Sequence, residues 1–262
     1  MNTQPIGLFD SGVGGLSIWQ AIHRLLPYES TIYLADNLNA PYGNKSKEEI
    51  IALSEKNTEF LLNQNAKLIV VACNTASTNA IPHLRQKYKV PFIKIQPAIK
   101  PAGLQSRSKK IGLLATAGTL KSKMLNDLIQ KIPTQDINII KQHGEGLVEL
   151  VEQNKINTAE TYNLLSKYLL PMRHQGIDQL VLGCTHYPFL IPQIQKILGS
   201  EINIIEPSEA IARQTKRILE EFALTAPKKN KGRHIFYANK SIKALQVLLP
   251  ADNIYYIKQV NF

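Results

Sequence analysis

Cysteine and tryptophan are scarce in this chain, with two cysteines and one tryptophan in 262 residues. Two cysteines without C-x-x-C spacing argue against a structural disulfide and against a zinc site, which usually has four ligands, so we expect no metal. Long hydrophobic runs are also missing, since no stretch approaches the roughly 18 uninterrupted apolar residues of a membrane span. Met1 to Phe9 lack the basic and apolar regions of a secretory signal. We therefore expect a cytoplasmic protein with no membrane partner.

Acidic side chains are outnumbered: 20 Asp and Glu residues accompany 31 Lys and Arg residues, for a formal net charge of +11. Such a chain attracts phosphates, which makes a basic nucleic-acid-binding protein one alternative. The dense basic runs, at 107–110 and 228–233, flank predicted strands and contain no aromatic side chains on which bases could stack. We interpret both runs as solvated loops and expect no nucleic-acid partner.

The chain does contain a regular alternation of apolar runs and amphipathic stretches. The apolar runs of the first part are 6–9, 31–35, 68–72 and 92–95, and the amphipathic stretches between them are 16–26, 47–63 and 79–88. The same pattern restarts at 111–115, followed by an amphipathic stretch at 120–132. This alternation predicts an α/β fold whose open, mostly parallel sheets are joined by crossover helices.

Two pairs of landmarks indicate that the α/β unit is duplicated. The segment 5–14 aligns with 110–119 at a spacing of 105 residues, and the two cysteines repeat at a spacing of 111 residues. We predict two similar α/β domains related by pseudo-twofold symmetry, with the active site in the cleft between them. The first domain is expected to comprise residues 1–97 plus 207–262, and the second residues 98–206.

The two cysteines stand in matching frames. Cys73 follows the apolar run 68–72, Cys184 follows the run 179–183, and each precedes residues typical of a helix start. In open parallel sheets the carboxyl ends of the strands are where ligands bind. A helix start is expected to lower a thiol pKa from its ordinary value of about 8.5 and to offer N–H groups to carboxylates. Two such thiols predict acid–base chemistry applied to a substrate from opposite sides.

The turn that follows the first apolar run has two interpretations. Its sequence, Asp-Ser-Gly-Val-Gly-Gly at 10–15, can aim N–H groups at an anion, and it also resembles a dinucleotide fingerprint. Asp36 ends the second run about where a ribose-binding acid would lie, so a nicotinamide-dependent oxidoreductase is another alternative. Against it, Asp10 would bring a negative charge toward the pyrophosphate. The duplicated copy at 116–119 also keeps hydroxyls rather than the glycine pair.

Taken in order, the motifs of this chain resemble those of the glutamate racemases. They are Asp10-Ser11-Gly-Val-Gly-Gly, Pro41-Tyr42-Gly43, Cys73-Asn74-Thr75, Ala115-Thr116-x-Gly118-Thr119, Leu147-Val-Glu-Leu-Val-Glu152 and Gly183-Cys184-Thr185-His186-Tyr187-Pro188. The resemblance implies a homodimeric, cofactor-independent isomerase that interconverts L- and D-glutamate and supplies the D-isomer for peptidoglycan. A racemase of another acidic amino acid, such as aspartate, would share the cysteine frames.

The same resemblance implies roles for individual residues. Cys73 and Cys184 correspond to the two catalytic acid/bases, and Asp10, His186 and Glu152 correspond to neighbours that assist them. The residues that correspond to substrate contacts are Asp10, Ser11, Pro41, Tyr42, Gly43, Asn74, Thr75, Thr116, Thr119, Thr185 and His186.

Overall fold

A computed structural model of the protein describes residues 2–132, 136–229, 231–250 and 255–262. Met1, at the start of the first predicted domain, and Asn230, in the second basic run, lie outside the described residues. The strands are β1 Ile6–Asp10, β2 Thr31–Ala35, β3 Leu68–Val71, β4 Phe92–Lys94, β5 Lys110–Ala115, β6 Asn138–His143, β7 Gln179–Gly183, β8 Asn203–Ile205, β9 His234–Ala238 and β10 Tyr255–Gln259. The helices are α1 Leu16–Leu25, α2 Lys47–Asn63, α3 Asn74–Lys87, α4 Ile99–Gln105, α5 Ala117–Leu120, α6 Lys123–Gln130, α7 Leu147–Glu152, α8 Ala159–His174, α9 Ile191–Leu198, α10 Ser208–Glu221 and α11 Lys243–Leu248.

The strands form two sheets with equivalent topology. The first has the order β10-β9-β2-β1-β3-β4 and the second the order β6-β5-β7-β8. All strand pairs of the described residues are parallel. The segment β2-β1-β3-β4 therefore corresponds strand by strand to the whole second sheet. This confirms the predicted α/β class with two similar parallel sheets, and β9 and β10 extend the first sheet alone.

The central strands form where the sequence is almost continuously apolar, as expected for parallel sheets whose two faces are both covered. Every residue of β1, β3 and β7 is buried. Five of the described helices, α2, α3, α5, α6 and α8, begin at a side chain that accepts one of their first N–H groups. Before α2, Ser46 and Glu49 form a reciprocal capping box, and before α8 the hydroxyl of Thr158 accepts the N–H of Thr161. Local sequence thus sets where these capped helices begin.

Two predicted helices differ from the structure. The stretch 120–132 was expected to form one helix, but it contains the end of α5 and then α6. Two consecutive caps cause the break: the hydroxyl of Thr116 accepts the N–H of Thr119, and the hydroxyl of Ser122 accepts the N–H of Leu125. The helix expected at 79–88 begins five residues earlier, at Asn74, which places Cys73 directly at its N-cap position.

The chain after residue 207 returns to the first sheet. Helix α10 packs against α1, and β9 pairs with β2 in the register Ala35↔Ala238. One apolar cluster includes Leu8 and Trp19 from the first unit and Leu147 and Leu182 from the second. The two sheets therefore share a continuous core beneath the cleft. Within the described residues, no helix is both long enough and apolar enough to cross a membrane.

Candidate active site

A small cavity lies between the carboxyl ends of the two sheets, and both cysteines line it. The space within it that a water-sized molecule could occupy is only about 10 Å³, far below the roughly 300–1,000 Å³ of ordinary ligand pockets, so the cleft is closed around it. The residues that line the cavity are Ser11, Pro41, Tyr42, Gly43, Cys73, Asn74, Thr75, Thr116, Val148, Cys184, Thr185 and His186.

Most of the residues singled out from the sequence meet at this cavity, and three lie directly behind its wall. The hydroxyl of Thr185 donates to Asp10 Oδ1 at 3.4 Å, the hydroxyl of Thr116 donates to that of Thr119 at 3.1 Å, and His186 contacts Glu152. Sequence reasoning missed Val148, which lines the cavity from α7. An apolar residue in an amphipathic helix carries no signal that distinguishes a cavity wall from core.

Cys73 is buried at the N-cap of α3. Its Sγ accepts the N–H of Ala76 at 3.5 Å and lies 3.8 Å from the Oγ of Ser11. Burial raises the pKa of Cys73 well above its ordinary value, and the charge of Asp10 adds to this, while the N–H of Ala76 opposes it. The expectation that the helix start would lower this pKa is therefore wrong for the closed cavity, because desolvation of the thiolate outweighs one N–H group.

Cys184 has a different set of neighbours. Its Sγ lies 3.8 Å from Nδ1 of His186, whose Nε2 lies 2.7 Å from Oε1 of Glu152. Burial alone disfavours a charged imidazole, but the contacts with Cys184 and Glu152 raise the pKa of His186 well above its ordinary value. The ring therefore places a proton donor beside Cys184. A short 3-10 turn, Tyr187–Leu190, follows before α9, so Cys184 caps no α-helix.

Asp10 occupies the space that an anion would need in the first turn. Its Oδ2 accepts the N–H groups of Gly12 at 3.3 Å and Gly15 at 3.1 Å. Burial raises the pKa of Asp10, and the charge of His186 and the N–H of Gly15 act in the opposite direction. Because the turn's N–H groups point to this carboxylate rather than outward, the geometry disfavours the nicotinamide alternative. Asp36, the expected ribose acid, is likewise engaged by protein donors.

Polar groups facing the cavity include one side chain with unmet hydrogen-bonding capacity. Asn74 is 1 % exposed, yet neither its amide nitrogen nor its amide oxygen has a partner. Buried amides are nearly always hydrogen-bonded, and an unpaired one is costly. Beside it, Oγ1 of Thr75 lies 2.9 Å from Oγ1 of Thr116, across the boundary between the two sheets. This arrangement is suited to a small polar ligand.

Glycines allow the two halves of the site to meet. A Cβ on Gly12 would lie 1.8 Å from Oε1 of Glu152, and one on Gly14 would lie 2.3 Å from Nδ1 of His186. Real Cβ atoms do not approach other atoms so closely. The His186–Glu152 pair of the second unit can therefore pack onto this turn of the first unit only because Gly12 and Gly14 have no side chains. Val13 completes the contact, since its N–H donates to Oε1 of Glu152 at 2.7 Å.

Two matched α/β units each deliver one cysteine to a shared cavity. Residues 6–215 match the family model described as Asp/Glu/hydantoin racemase. The chain belongs to this family and is an isomerase. Among curated proteins, it is 42 % identical over 232 residues to the glutamate racemase of Herpetosiphon aurantiacus, covering 88 % of this chain and 91 % of that protein.

Solved structures agree with this membership. Glutamate racemase RacE1 from Bacillus anthracis superimposes with a TM-score of 0.86 at 31 % identity, covering 100 % of this chain and 98 % of that one. Glutamate racemase from Escherichia coli, solved with L-glutamate and the activator UDP-MurNAc-ala, superimposes with a TM-score of 0.85 at 33 % identity, covering 98 % of both chains.

Proposed function

We propose that the protein racemises glutamate without a cofactor, using Cys73 and Cys184 as acid/bases on opposite faces of the substrate. One observation carries the proposal: the two thiols come from corresponding strands, β3 and β7, of two equivalent sheets and line the same cavity. Curated relatives and solved structures named as glutamate racemases support the choice of substrate.

The proposed reaction balances with protein groups alone. A thiolate removes the Cα proton from one face, so that an S–H bond forms and the C–H electron pair is left on a planar carbanion. The opposing thiol then donates its proton to the other face, and its sulfur becomes the thiolate. In the reverse direction the two sulfurs exchange roles. The carbanion is stabilised by hydrogen bonds to the α-carboxylate and by exclusion of water from the closed cavity.

Cys73 and Cys184 have different neighbours, which supports a different assisting residue for each thiol. The raised pKa of Cys73 favours the protonated thiol in the empty cavity, with the buried carboxylate of Asp10 nearby to assist its proton transfers. Cys184 lies beside His186, and Glu152 orients the His186 ring through the contact with Nε2 of that ring. We propose Asp10 as the assistant of Cys73, His186 as the assistant of Cys184, and Glu152 as the residue that orients His186.

We further propose that hydroxyls and the Asn74 amide hold the substrate. The unpaired amide of Asn74 offers a donor and an acceptor inside the cavity. Thr116 and Thr75 place hydroxyl groups beside it, and Thr119 supports Thr116 from behind. On the other side, Ser11 and Thr185 line the cavity. Hydroxyl and amide groups are suited to binding carboxylates and an ammonium group within one small pocket.

The domain bounds and the cellular role are also proposals. Return of α10 and β9 to the first unit supports a first domain of residues 1–97 plus 207–262 and a second of 98–206. We propose that the product D-glutamate is supplied in the cytoplasm for peptidoglycan synthesis, on the basis of the similarity to curated glutamate racemases.

The test is incubation of the purified protein with L-glutamate in D₂O without added cofactor. Proton NMR follows deuterium entry at Cα, and polarimetry follows loss of optical rotation. We expect both signals in the native protein, and we expect racemisation to be lost in Cys73→Ser and in Cys184→Ser. Each single variant should still catalyse one-sided elimination from a suitable chiral substrate analogue.

Two outcomes would overturn parts of this proposal. Absence of Cα exchange in the native protein rejects glutamate racemisation, and parallel incubation with L-aspartate then tests the alternative acidic substrate. Equal residual racemisation in both cysteine variants rejects the two-thiol scheme while leaving the substrate assignment intact.

A further inference from the structure

A buried polar network lies behind the cavity wall formed by Pro41, Tyr42 and Gly43, which we term the substrate wall. We propose that Asp36 and Asn239 are positioning residues that hold the substrate wall in place, so that the C-terminal part of the chain contributes to substrate binding. This inference rests on the proposed function, because it concerns how that same cavity holds its substrate.

The carboxylate of Asp36 joins the substrate wall to the C-terminal segment. Asp36 directly follows β2 and is 2 % exposed. Its Oδ2 accepts the hydroxyl of Tyr42, and its Oδ1 accepts the amide of Asn239 at 2.5 Å and that of Asn39 at 2.8 Å. A buried carboxylate is stable only when its oxygens are satisfied by donors. Tyr42 and Asn239 are therefore held in place by the same charge.

Three more hydrogen bonds bind the adjoining loops together. The amide of Asn37 donates to the carbonyl of Ser241 at 2.6 Å, and the N–H of Lys240 donates to Oδ1 of Asn37 at 2.9 Å. The N–H of Leu38 donates to Oδ1 of Asn239 at 2.8 Å. The loop that leads into the substrate wall is thus hydrogen-bonded to the loop after β9 at several points.

The sheet register explains how a distant part of the sequence reaches this site. β9 pairs with β2 so that Ala238 lies opposite Ala35, which places Asn239 beside Asp36. The match to the racemase family model ends at residue 215, so β9 and Asn239 lie beyond it. Support of the cavity wall therefore comes from outside the matched segment.

Tyr42 lines the cavity, but its hydroxyl is hydrogen-bonded to protein groups behind the cavity wall. The phenol is buried, donates to Asp36 and accepts the amide of Asn57 at 3.0 Å. With its hydroxyl engaged behind the wall, Tyr42 contributes its backbone and ring to the cavity. The position of Pro41 and Gly43 then depends on how firmly the phenol is anchored.

The first test is Asn239→Leu, which keeps the side-chain volume but removes both hydrogen bonds of the amide. We expect KM for glutamate to rise about tenfold, while kcat stays within about threefold, because loss of a hydrogen bond to a buried charge loosens the wall without touching the thiols. Amide hydrogen exchange of residues 37–46 should become faster in the same variant, independently of activity.

Exchanging the side chains of Asp36 and Asn239 tests whether the hydrogen bond between them supports the substrate wall. Asn239→Asp places two carboxylates together and should raise KM more than Asn239→Leu does. Combining it with Asp36→Asn restores one carboxylate and one amide, and it should return KM to within about threefold of the native value. If neither single variant folds, the double variant still carries the test, since a native KM there requires the restored pair.

The matched control is Glu29→Gln, which weakens another buried polar network remote from the cavity. It should lower the melting temperature but leave KM unchanged. An inactive native protein would reject the proposed function. An active native protein together with an unchanged KM and unchanged exchange in Asn239→Leu would overturn this inference alone.

Discussion

Oγ1 of Thr75 and Oγ1 of Thr116 lie 2.9 Å apart and join turns at the carboxyl ends of the two sheets. Thr75 follows β3 in the first unit, and Thr116 follows β5 in the second. Close backbone approach accompanies this contact, since a Cβ on Gly118 would lie 2.9 Å from Cγ2 of Thr75 and 3.2 Å from the carbonyl oxygen of Gly43. The two units therefore meet through hydroxyls and glycines, which leaves the polar groups at the cavity and lets the cleft close tightly.

Replacing Thr116 by valine removes this hydroxyl at constant size. Thr116 bonds to both Thr75 and Thr119. We expect KM for glutamate to rise about tenfold, because one ordinary hydrogen bond and its support are lost. Steady-state kinetics measures the effect. The matched control is Thr215→Val in α10, where the hydroxyl of a buried threonine donates to the carbonyl of Ile211. A similar rise in KM there would refute a specific role for Thr116.

Gly14→Ala should displace the His186 ring, since the new Cβ would start 2.3 Å from its Nδ1. The ring is buried, and its Nε2 contacts Glu152 at 2.7 Å. Misplacement of an assisting group by about 1 Å can cost on the order of a hundredfold in rate, so we expect kcat to fall by about that factor. Gly7→Ala is the control: its Cβ crowds Leu61 and Ala66 at 3.1 Å, and kcat should be retained despite lower stability.

Glu152→Gln should shift the pH profile rather than abolish activity. The contacts with Cys184 and Glu152 raise the pKa of His186 in the folded protein, so protonated His186 is favoured below that pKa and lost as the pH rises through it. Removing the carboxylate charge lowers this pKa. The alkaline limb of the kcat profile should therefore move to lower pH. Profiles in both reaction directions measure this, and an unmoved alkaline limb in both would contradict it.

Lys67→Met should strongly destabilise the fold. Nζ of Lys67 lies 2.6 Å from Oε2 of Glu29, both side chains are buried, and Glu29 also accepts the N–H of Ala226. Leaving one buried charge unpaired typically costs about 3–5 kcal/mol of unfolding free energy. Urea denaturation should show such a loss, with part of it recovered in Lys67→Met combined with Glu29→Gln. No recovery would mean that packing of Lys67, rather than its charge, dominates.

His234 should make the fold sensitive to acid. Burial and the nearby charge of His23 lower the pKa of His234 to about 4, whereas an unfolded histidine has a pKa of about 6.5. Because the folded pKa is the lower one, stability is lost as the pH falls from about 6.5 to about 4, by up to about 3 kcal/mol. Urea denaturation at several pH values should show a smaller acid loss in His234→Gln than in the native protein. Equal losses would contradict this assignment.

The local residues of this chain determined the fold class and most of the cavity. Apolar runs predicted the strands, and the matching frames of Cys73 and Cys184 predicted that two duplicated units share one site. These features are local, because a buried strand and the turn that follows it are specified by consecutive residues. The resemblance of the ordered motifs supplied the remaining cavity residues except Val148.

Only the tertiary structure decided how distant groups act on one another. The expected lowering of the Cys73 pKa failed because closure of the cleft desolvates the thiol, which no local pattern reveals. Asp36 had suggested a ribose contact, whereas packing turns it toward Tyr42 and Asn239. The sequence by itself therefore determined which chemical groups reach the cleft. Burial and contacts between segments far apart in the chain decided their charge states and their partners.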